Sequence, residues 1–144
     1  MIYLEKPSEF TAKFEVVSCF LEREGKILLL LRQDHKPQGN TLGVPAGKVE
    51  NGEDPTVAIL RELKEETGHK IGQNDLNHSH KLFVKYSDYD FVYHIYHCDL
   101  VENINIVIDS KSHKDFAWVV PKEALNMSLI QDLDKSIELF YYKK

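Results

Sequence analysis

The sequence predicts an α/β fold, a mixed β-sheet with helices packed against it, and three observations carry that expectation. Two apolar runs, the first rich in β-branched residues, lie near the N-terminus with a polar turn between them. A helix bracketed by Asp54-Pro55 and Gly68 follows. A second pair of strand-like runs then leads to a C-terminal stretch with helical spacing. Strands, helix, strands, helix is the order of a sheet covered by helices, with the strand order left open.

The first pair is Phe14 to Leu21 and Lys26 to Leu31, separated by Arg23-Glu24-Gly25, which reads as a β-hairpin. From Arg32 to Leu42 the apolar pattern stops and Gln, Asp, His, Pro, Gly and Asn accumulate, the composition of a loop long enough to be functional. Asp54 suits an N-cap, Pro55 the first helical position and Gly68 a C-terminal cap, so a helix over 55–67 is expected. Lys81 to Tyr86 and Phe91 to Leu100 read as strands joined by Ser87-Asp88-Tyr89-Asp90, and Phe116 to Val120 as a short further strand. Ile130, Leu133, Ile137 and Phe140 recur at steps of three and four, placing them on one stripe of a second amphipathic helix.

The chain has 144 residues, enough for one hydrophobic core, and reads as a single domain over 1–144. Its 18 basic and 23 acidic side chains give a formal charge of -5, which argues against a general binder of nucleic acid polymers. Phosphate handling in such a chain must be local. Cys19 and Cys98 match no metal-ligand spacing and are too few for a disulfide scaffold, so they read as buried free thiols. The charged N-terminus lacks a secretory apolar run, and no stretch has the length of a membrane span, so a cytoplasmic protein that engages no membrane is expected.

On the predicted helix, Glu62, Glu65 and Glu66 fall at i, i+3 and i+4 and project from one face, while Ile59, Leu60 and Leu63 lie on the roughly opposite side. Three crowded carboxylates repel one another unless a cation relieves them. A hard divalent ion suits the need, because Mg²⁺ takes oxygen ligands and pairs with substrate phosphates. A merely solvated acidic face is the competing explanation of the helix taken alone.

The surrounding residues separate the two. The stretch from Gly47 through Glu53 and Arg61-Glu62-Leu63-Lys64-Glu65-Glu66 to Gly68 resembles the Nudix box, GX5EX7REUXEEXGU, where U is a bulky aliphatic residue. It departs only at the last position, His69, and the preceding Leu42-Gly43-Val44-Pro45-Ala46 is similar to the family's lead-in, with Ala46 replacing the commoner first Gly and Leu42 a frequent Trp.

The resemblance implies a Nudix-type α/β/α sandwich and hydrolysis of a phosphoanhydride bond in a nucleoside diphosphate linked to another group. It implies Mg²⁺ or Mn²⁺ as cofactor, with Glu62 and Glu66 as the principal ligands, Glu65 as a further ligand or the general base, and a backbone carbonyl near Ala46 as another oxygen donor. Glu53 and Arg61 match a structural ion pair. Lys48, after the box glycine, and Arg32, which opens the long loop, are candidate phosphate contacts.

The string Ser112-His113-Lys114-Asp115-Phe116-Ala117-Trp118 is similar to a segment of dinucleoside polyphosphate and dihydroneopterin triphosphate hydrolases of this superfamily. His113 is therefore a candidate substrate-binding residue. Ser112 stands where those proteins carry a glutamate, and Asp115 is the nearby carboxylate available to replace it. Trp118 reads as a core aromatic, and Phe83, Tyr93 and Tyr96 read as strand aromatics of the core, with stacking on a base the alternative. His94 and His97 fall on opposite faces of a strand and cannot serve one site together.

A nucleoside triphosphate or dinucleoside polyphosphate is the expected small-molecule substrate, for a monomer or homodimer. A pyrophosphatase acting on ADP-ribose or NADH, and a non-catalytic nucleotide-binding module of the same fold, are the alternatives. Loss of box glutamates would signal the last, and none is lost.

Overall fold

The computed structural model describes residues 1–143. Its strands are β1 (Ile2–Tyr3), β2 (Ala12–Arg23), β3 (Lys26–Arg32), β4 (Leu42–Gly43), β5 (Ala46–Lys48), β6 (Asn77–Lys85), β7 (Asp90–Asp99) and β8 (His113–Val119), and its helices are α1 (Pro55–Thr67), α2 (Pro121–Ala124) and α3 (Leu133–Ile137).

The sheet runs β1-β6-β7-β2-β3-β4, with β5 also paired to β2 and β8 to β3. β2 and β7 run parallel, and every other pairing is antiparallel. The sheet is therefore mixed, as expected. Alternation along its strands supplies two apolar faces. Leu28, Leu30, Val17, Cys19 and Leu21 pack with Ala58, Ile59 and Leu63 of α1 on one face. Ile27, Leu29, Phe20, Leu82 and Ile95 pack with Ala124, Leu133 and Ile137 on the other. The unbroken apolar run of β3 is thus that of a strand covered on both sides, and the three layers form an α/β/α sandwich. Trp118 packs against the α1-side core. Cys19 and Cys98 are buried free thiols on that side, and burial pushes Cys98 up to about 11 and Cys19 well above the ordinary thiol range.

One departure from the hairpin expectation shapes the site. β2 and β3 pair only at Glu22–Ile27 and Arg23–Lys26, beside the turn where Glu24 and Gly25 both take positive φ. Beyond that point the two strands diverge. The chain after Gly43 fills the split: β5 pairs with Val16, Val17 and Ser18 of β2, and Cys19 N donates to Pro45 O at 3.0 Å. β1, β4, β5 and α2 are too short to leave a periodic signature.

α1 has the bounds expected. Asp54 accepts a hydrogen bond from Thr56 N at 2.8 Å, and Gly68 takes φ 76°, its N–H donating to Lys64 O. The Thr67 carbonyl accepts from Val107 N at 2.8 Å, so the irregular segment before β8 secures the end of the helix. The C-terminal helix is shorter than its stripe. Asp132 takes a left-handed conformation at φ 67°, so α3 starts at Leu133 and continues into a wider π-type turn over Glu138–Tyr142. Ile130 joins the same core from outside the helix. Among the described residues, no helix is long and apolar enough to cross a membrane.

Candidate active site

α1 delivers its three glutamates to different environments. Glu66 is buried at 9 % exposure, and its Oε2 accepts from Ala46 N at 3.0 Å. Glu62 is largely covered, with Oε1 2.7 Å from Arg61 Nη1, while the Glu65 side chain is 55 % exposed and 3.6 Å from the same guanidinium. Gly47 lies against Glu62 so closely that a Cβ there would collide with its carboxylate. The glycine is a steric requirement of that glutamate.

Arg61 ties the helix to its leading loop. Its Nε and Nη2 donate to Glu53 Oε2 and Oε1 at 2.9 and 3.0 Å, and Nη2 also donates to Lys48 O at 3.1 Å. This bidentate geometry orders both partners. The guanidinium beside Glu53 holds that carboxyl down at about 2.

Beside Glu66 opens a cavity of about 440 Å³. Its lining includes Arg32, Lys48, His113, Ala46 and Gly47 and an aromatic wall of Phe14, Tyr86, Tyr89 and Phe91. Phe14 stacks on Phe91 at 5.3 Å and leans on Tyr89 at 5.4 Å; Tyr86 meets Phe91 edge-on at 5.3 Å. Asp132 lines the same space and accepts from Tyr86 Oη at 2.8 Å. The cavity lies on the α3 side of the sheet, and Glu66 reaches it from α1 past Ala46, where β5 fills the split between β2 and β3.

Burial dominates the electrostatics of the two covered carboxyls. Burial pushes Glu66 well above the usual carboxylate range, with its hydrogen bond from Ala46 acting in the opposite sense and neighbouring Glu62 adding to the rise. Burial also raises Glu62 against the pull of Arg61. Two neighbouring carboxyls that are costly to ionise are what a bound divalent ion reverses. Among the described residues no group of three or more His, Cys, Asp or Glu side chains is placed to hold a metal ion by itself, so an ion beside Glu66 and Glu62 would take most of its oxygens from backbone, water and substrate. An open, all-oxygen set that leaves places for water and substrate phosphate suits Mg²⁺ or Mn²⁺ better than a cage-seeking metal. The residues fit such an ion.

Of the candidates from sequence, Arg32, Lys48, His113, Ala46 and Glu66 line one cavity; Glu62 stands behind Gly47, and Glu65, Arg61 and Glu53 lie outside the lining. Lys48 Nζ sits 4.4 Å from the centroid of Phe14, and Arg32 Nε donates to Pro37 O at 2.8 Å. His113 is buried with Nδ1 lacking any hydrogen-bond partner, and burial, then the nearby Arg32 charge, keep its imidazole below the ordinary histidine range. Asp115 is exposed and outside the cavity, accepting only from Phe116 N, so it does not replace the glutamate absent at Ser112. Tyr93 lines the cavity, whereas Tyr96 faces α1 and Phe83 packs on Phe10. Sequence reasoning missed Tyr86, Tyr89, Gln38 and Asp132. Asp132 and Gln38 adopt positive φ without being glycine, and the Tyr-flanked turn over 87–90 was the one signal available for the aromatic wall.

The end of α1 that carries Glu66 thus opens onto one cavity with Arg32, Lys48, His113 and an aromatic wall. A family model described as the NUDIX domain matches residues 13–140, and the chain belongs to that family, as a Nudix hydrolase. It is 33 % identical over 115 residues to the CTP pyrophosphohydrolase of Escherichia coli (strain K12), covering 80 % of this chain and 82 % of that protein. It is 35 % identical over 116 residues to the ADP-ribose pyrophosphatase of Bacillus subtilis (strain 168), covering 80 % of this chain and 57 % of that protein. Among solved structures, the E. coli ORF135 protein superposes with a TM-score of 0.74 at 26 % identity over 94 % of this chain and 93 % of that one. The E. coli dihydroneopterin triphosphate pyrophosphohydrolase shares the fold, with a TM-score of 0.71 at 19 % identity over 92 % of this chain and 97 % of that one. Nudix hydrolases generally use divalent metals such as Mg²⁺ or Mn²⁺.

Proposed function

We propose that this chain hydrolyses a phosphoanhydride bond of a nucleoside triphosphate in a Mg²⁺-dependent reaction. The observation that carries the reading is the single cavity joining the buried Glu66 carboxylate and the basic residues Arg32 and Lys48 to an aromatic wall. At about 440 Å³ it sits toward the lower part of the range for small-ligand pockets, which favours one nucleoside over the two of a dinucleoside polyphosphate. The likeness to a CTP pyrophosphohydrolase supports the same choice.

In this reading Glu62 and Glu66 hold the cation, with the Ala46 carbonyl as a further oxygen. The ion, when bound, polarises a phosphoryl oxygen and lowers the pKa of a coordinated water. Glu65, solvated at the rim, takes the proton from the attacking water. Glu53 and Arg61 are positioning residues that fix Glu62. Arg32 and Lys48 meet the phosphate charge, and the unpartnered Nδ1 of neutral His113 supplies a hydrogen bond to the ligand. The base stacks on Phe14, Tyr89 and Phe91, with Asp132 accepting from an exocyclic amino group.

Product analysis over CTP, the other nucleoside triphosphates, Ap4A, ADP-ribose and NADH with Mg²⁺ tests the proposal. Release of a nucleoside monophosphate or diphosphate from a triphosphate, abolished in Glu66→Gln, is the expected result. Preferential cleavage of ADP-ribose, or undiminished turnover by Glu66→Gln, overturns it.

A further inference from the structure

On the α1 side of the sheet, away from the cavity, side chains from three strands meet. His78 of β6 places Nε2 3.0 Å from Nδ1 of His94 on β7, and His94 Nε2 lies 2.7 Å from Glu15 Oε2 on β2. A bulge creates the arrangement. The register shifts between His78, opposite Tyr96, and His80, opposite Ile95, leaving Ser79 as the extra residue. In a regular strand His78 and His80 share a face; the bulge sends His78 toward α1 and His80 to the far face, where its ring lies 6.3 Å from Phe140. His94 and His97 lie on opposite faces of β7, as expected. His97 faces Glu22 and Phe140 on the opposite side, and the partner of His94 lies across the ladder.

With His94 neutral, the hydrogen bonds assign the ring tautomers. An ionised carboxylate only accepts, so neutral His94 carries its proton on Nε2, and its Nδ1 lone pair points at His78. His78 then donates from Nε2. Moving that one proton to Nδ1 of His78 leaves two imidazole lone pairs facing each other, with a carboxylate behind the inner ring. A carboxylate on the far N–H of a ligating imidazole is the usual support of a metal-bound histidine. Two nitrogens bound tetrahedrally at zinc distances stand about 3.3 Å apart, so from the observed 3.0 Å the exposed His78 ring must draw back by a few tenths of an ångström and turn from its head-on approach to meet the ion at an angle.

We propose that His78 and His94, with Glu15 orienting His94, form a second cation site that takes one late first-row divalent metal ion of the zinc, nickel or copper class. The donor set differs in kind from the oxygen site of α1, since imidazole selects these ions over Mg²⁺. His94 is buried and His78 exposed, so the ion sits at the surface and water completes its coordination. The Tyr96 ring, 4.8 Å from that of His78 and hydrogen-bonded to Thr56 at the start of α1, walls the inner side. An ion here ties β6 to β7 and, through Glu15, to β2, bracing the hairpin whose turn carries Tyr86 and Tyr89.

Cu²⁺ titration of the full chain, with Mg²⁺ in excess to occupy the carboxylate helix, tests the site by calorimetry and by pulsed electron paramagnetic resonance, which counts coupled imidazoles. Two imidazole nitrogens are expected in the parent protein. His78→Ala, at an exposed position, should lose one of them and weaken binding at least tenfold while leaving Mg²⁺-dependent hydrolysis and the circular dichroism spectrum unchanged. Glu15→Gln should retain both nitrogens and weaken binding by about tenfold or more. A parent protein showing one coupled imidazole or none, or a His78→Ala variant with undiminished Cu²⁺ affinity, overturns the proposal.

Discussion

Gly47→Ala is the sharpest probe of the proposed metal site, because it moves one carboxylate and little else. A methyl group at this position would stand 2.6 Å from Glu62 Oε2 and closer still to Oε1 and Cδ, where ordinary contact begins at 3.4 Å. The carboxylate must therefore withdraw by about 1 Å. Rotation of the Glu62 side chain can supply that motion, so the backbone of β5 and its pairing to β2 survive, and the loss in unfolding free energy should stay near the ~1 kcal/mol typical of a point substitution. Displacing a ligand by about 1 Å at a reacting centre costs on the order of 100-fold in rate. Steady-state hydrolysis should accordingly show kcat lowered about 100-fold with a thermal midpoint close to that of the parent. Turnover within a factor of about two of the parent's would refute the placement of Glu62 beside the reaction, since the steric conflict itself is unavoidable.

Three further outcomes follow from described contacts. Glu53 is held down at about 2 from an ordinary 4.5, so its pair with Arg61 stabilises the fold fully above pH 4.5 and loses that contribution as pH falls toward 2; thermal midpoints of the parent and Glu53→Gln should differ at pH 7 and converge in acid. Gly68→Ala forces an L residue to φ 76° with its Cβ 2.9 Å from the Val107 side chain, and should cost at least about 1–2 kcal/mol in urea denaturation. Leu63→Ala removes a fully buried side chain between α1 and the sheet and should cost about 2–5 kcal/mol by the same measurement.

The parts of the fold legible from sequence are those whose causes are local. The caps of α1 sit within two residues of its ends, and the runs of β2, β3 and β7 are long enough to show their character. The parallel pairing of β2 with β7 joins residues such as Val17 and His94, and nothing near either residue encodes it. The stripe beginning at Ile130 reflected true burial, but the left-handed turn at Asp132 breaks the helix inside it. In the site, Glu62, Glu65 and Glu66 were visible as a trio. Their separation into buried, covered and exposed depends on Ala46, Gly47 and Arg61 arriving from elsewhere. The aromatic wall was hidden for a like reason: Phe14 and Tyr89 belong to different strand pairs until the sheet assembles.

The split between β2 and β3 separates two kinds of inheritance. The groups proposed to hold the ion and take the proton lie between Ala46 and Glu66, a contiguous stretch anchored by Arg61, with Arg32 and His113 reaching the ligand from outside it. The surfaces proposed to choose the base come from the 86–91 turn, from Phe14 and from Asp132, none of which touches Arg61. Substitutions at Tyr86, Tyr89 or Asp132 can reshape what enters the cleft while the carboxylate helix and its glycine stay as they are. A fold divided in this way can change diet without relearning its chemistry.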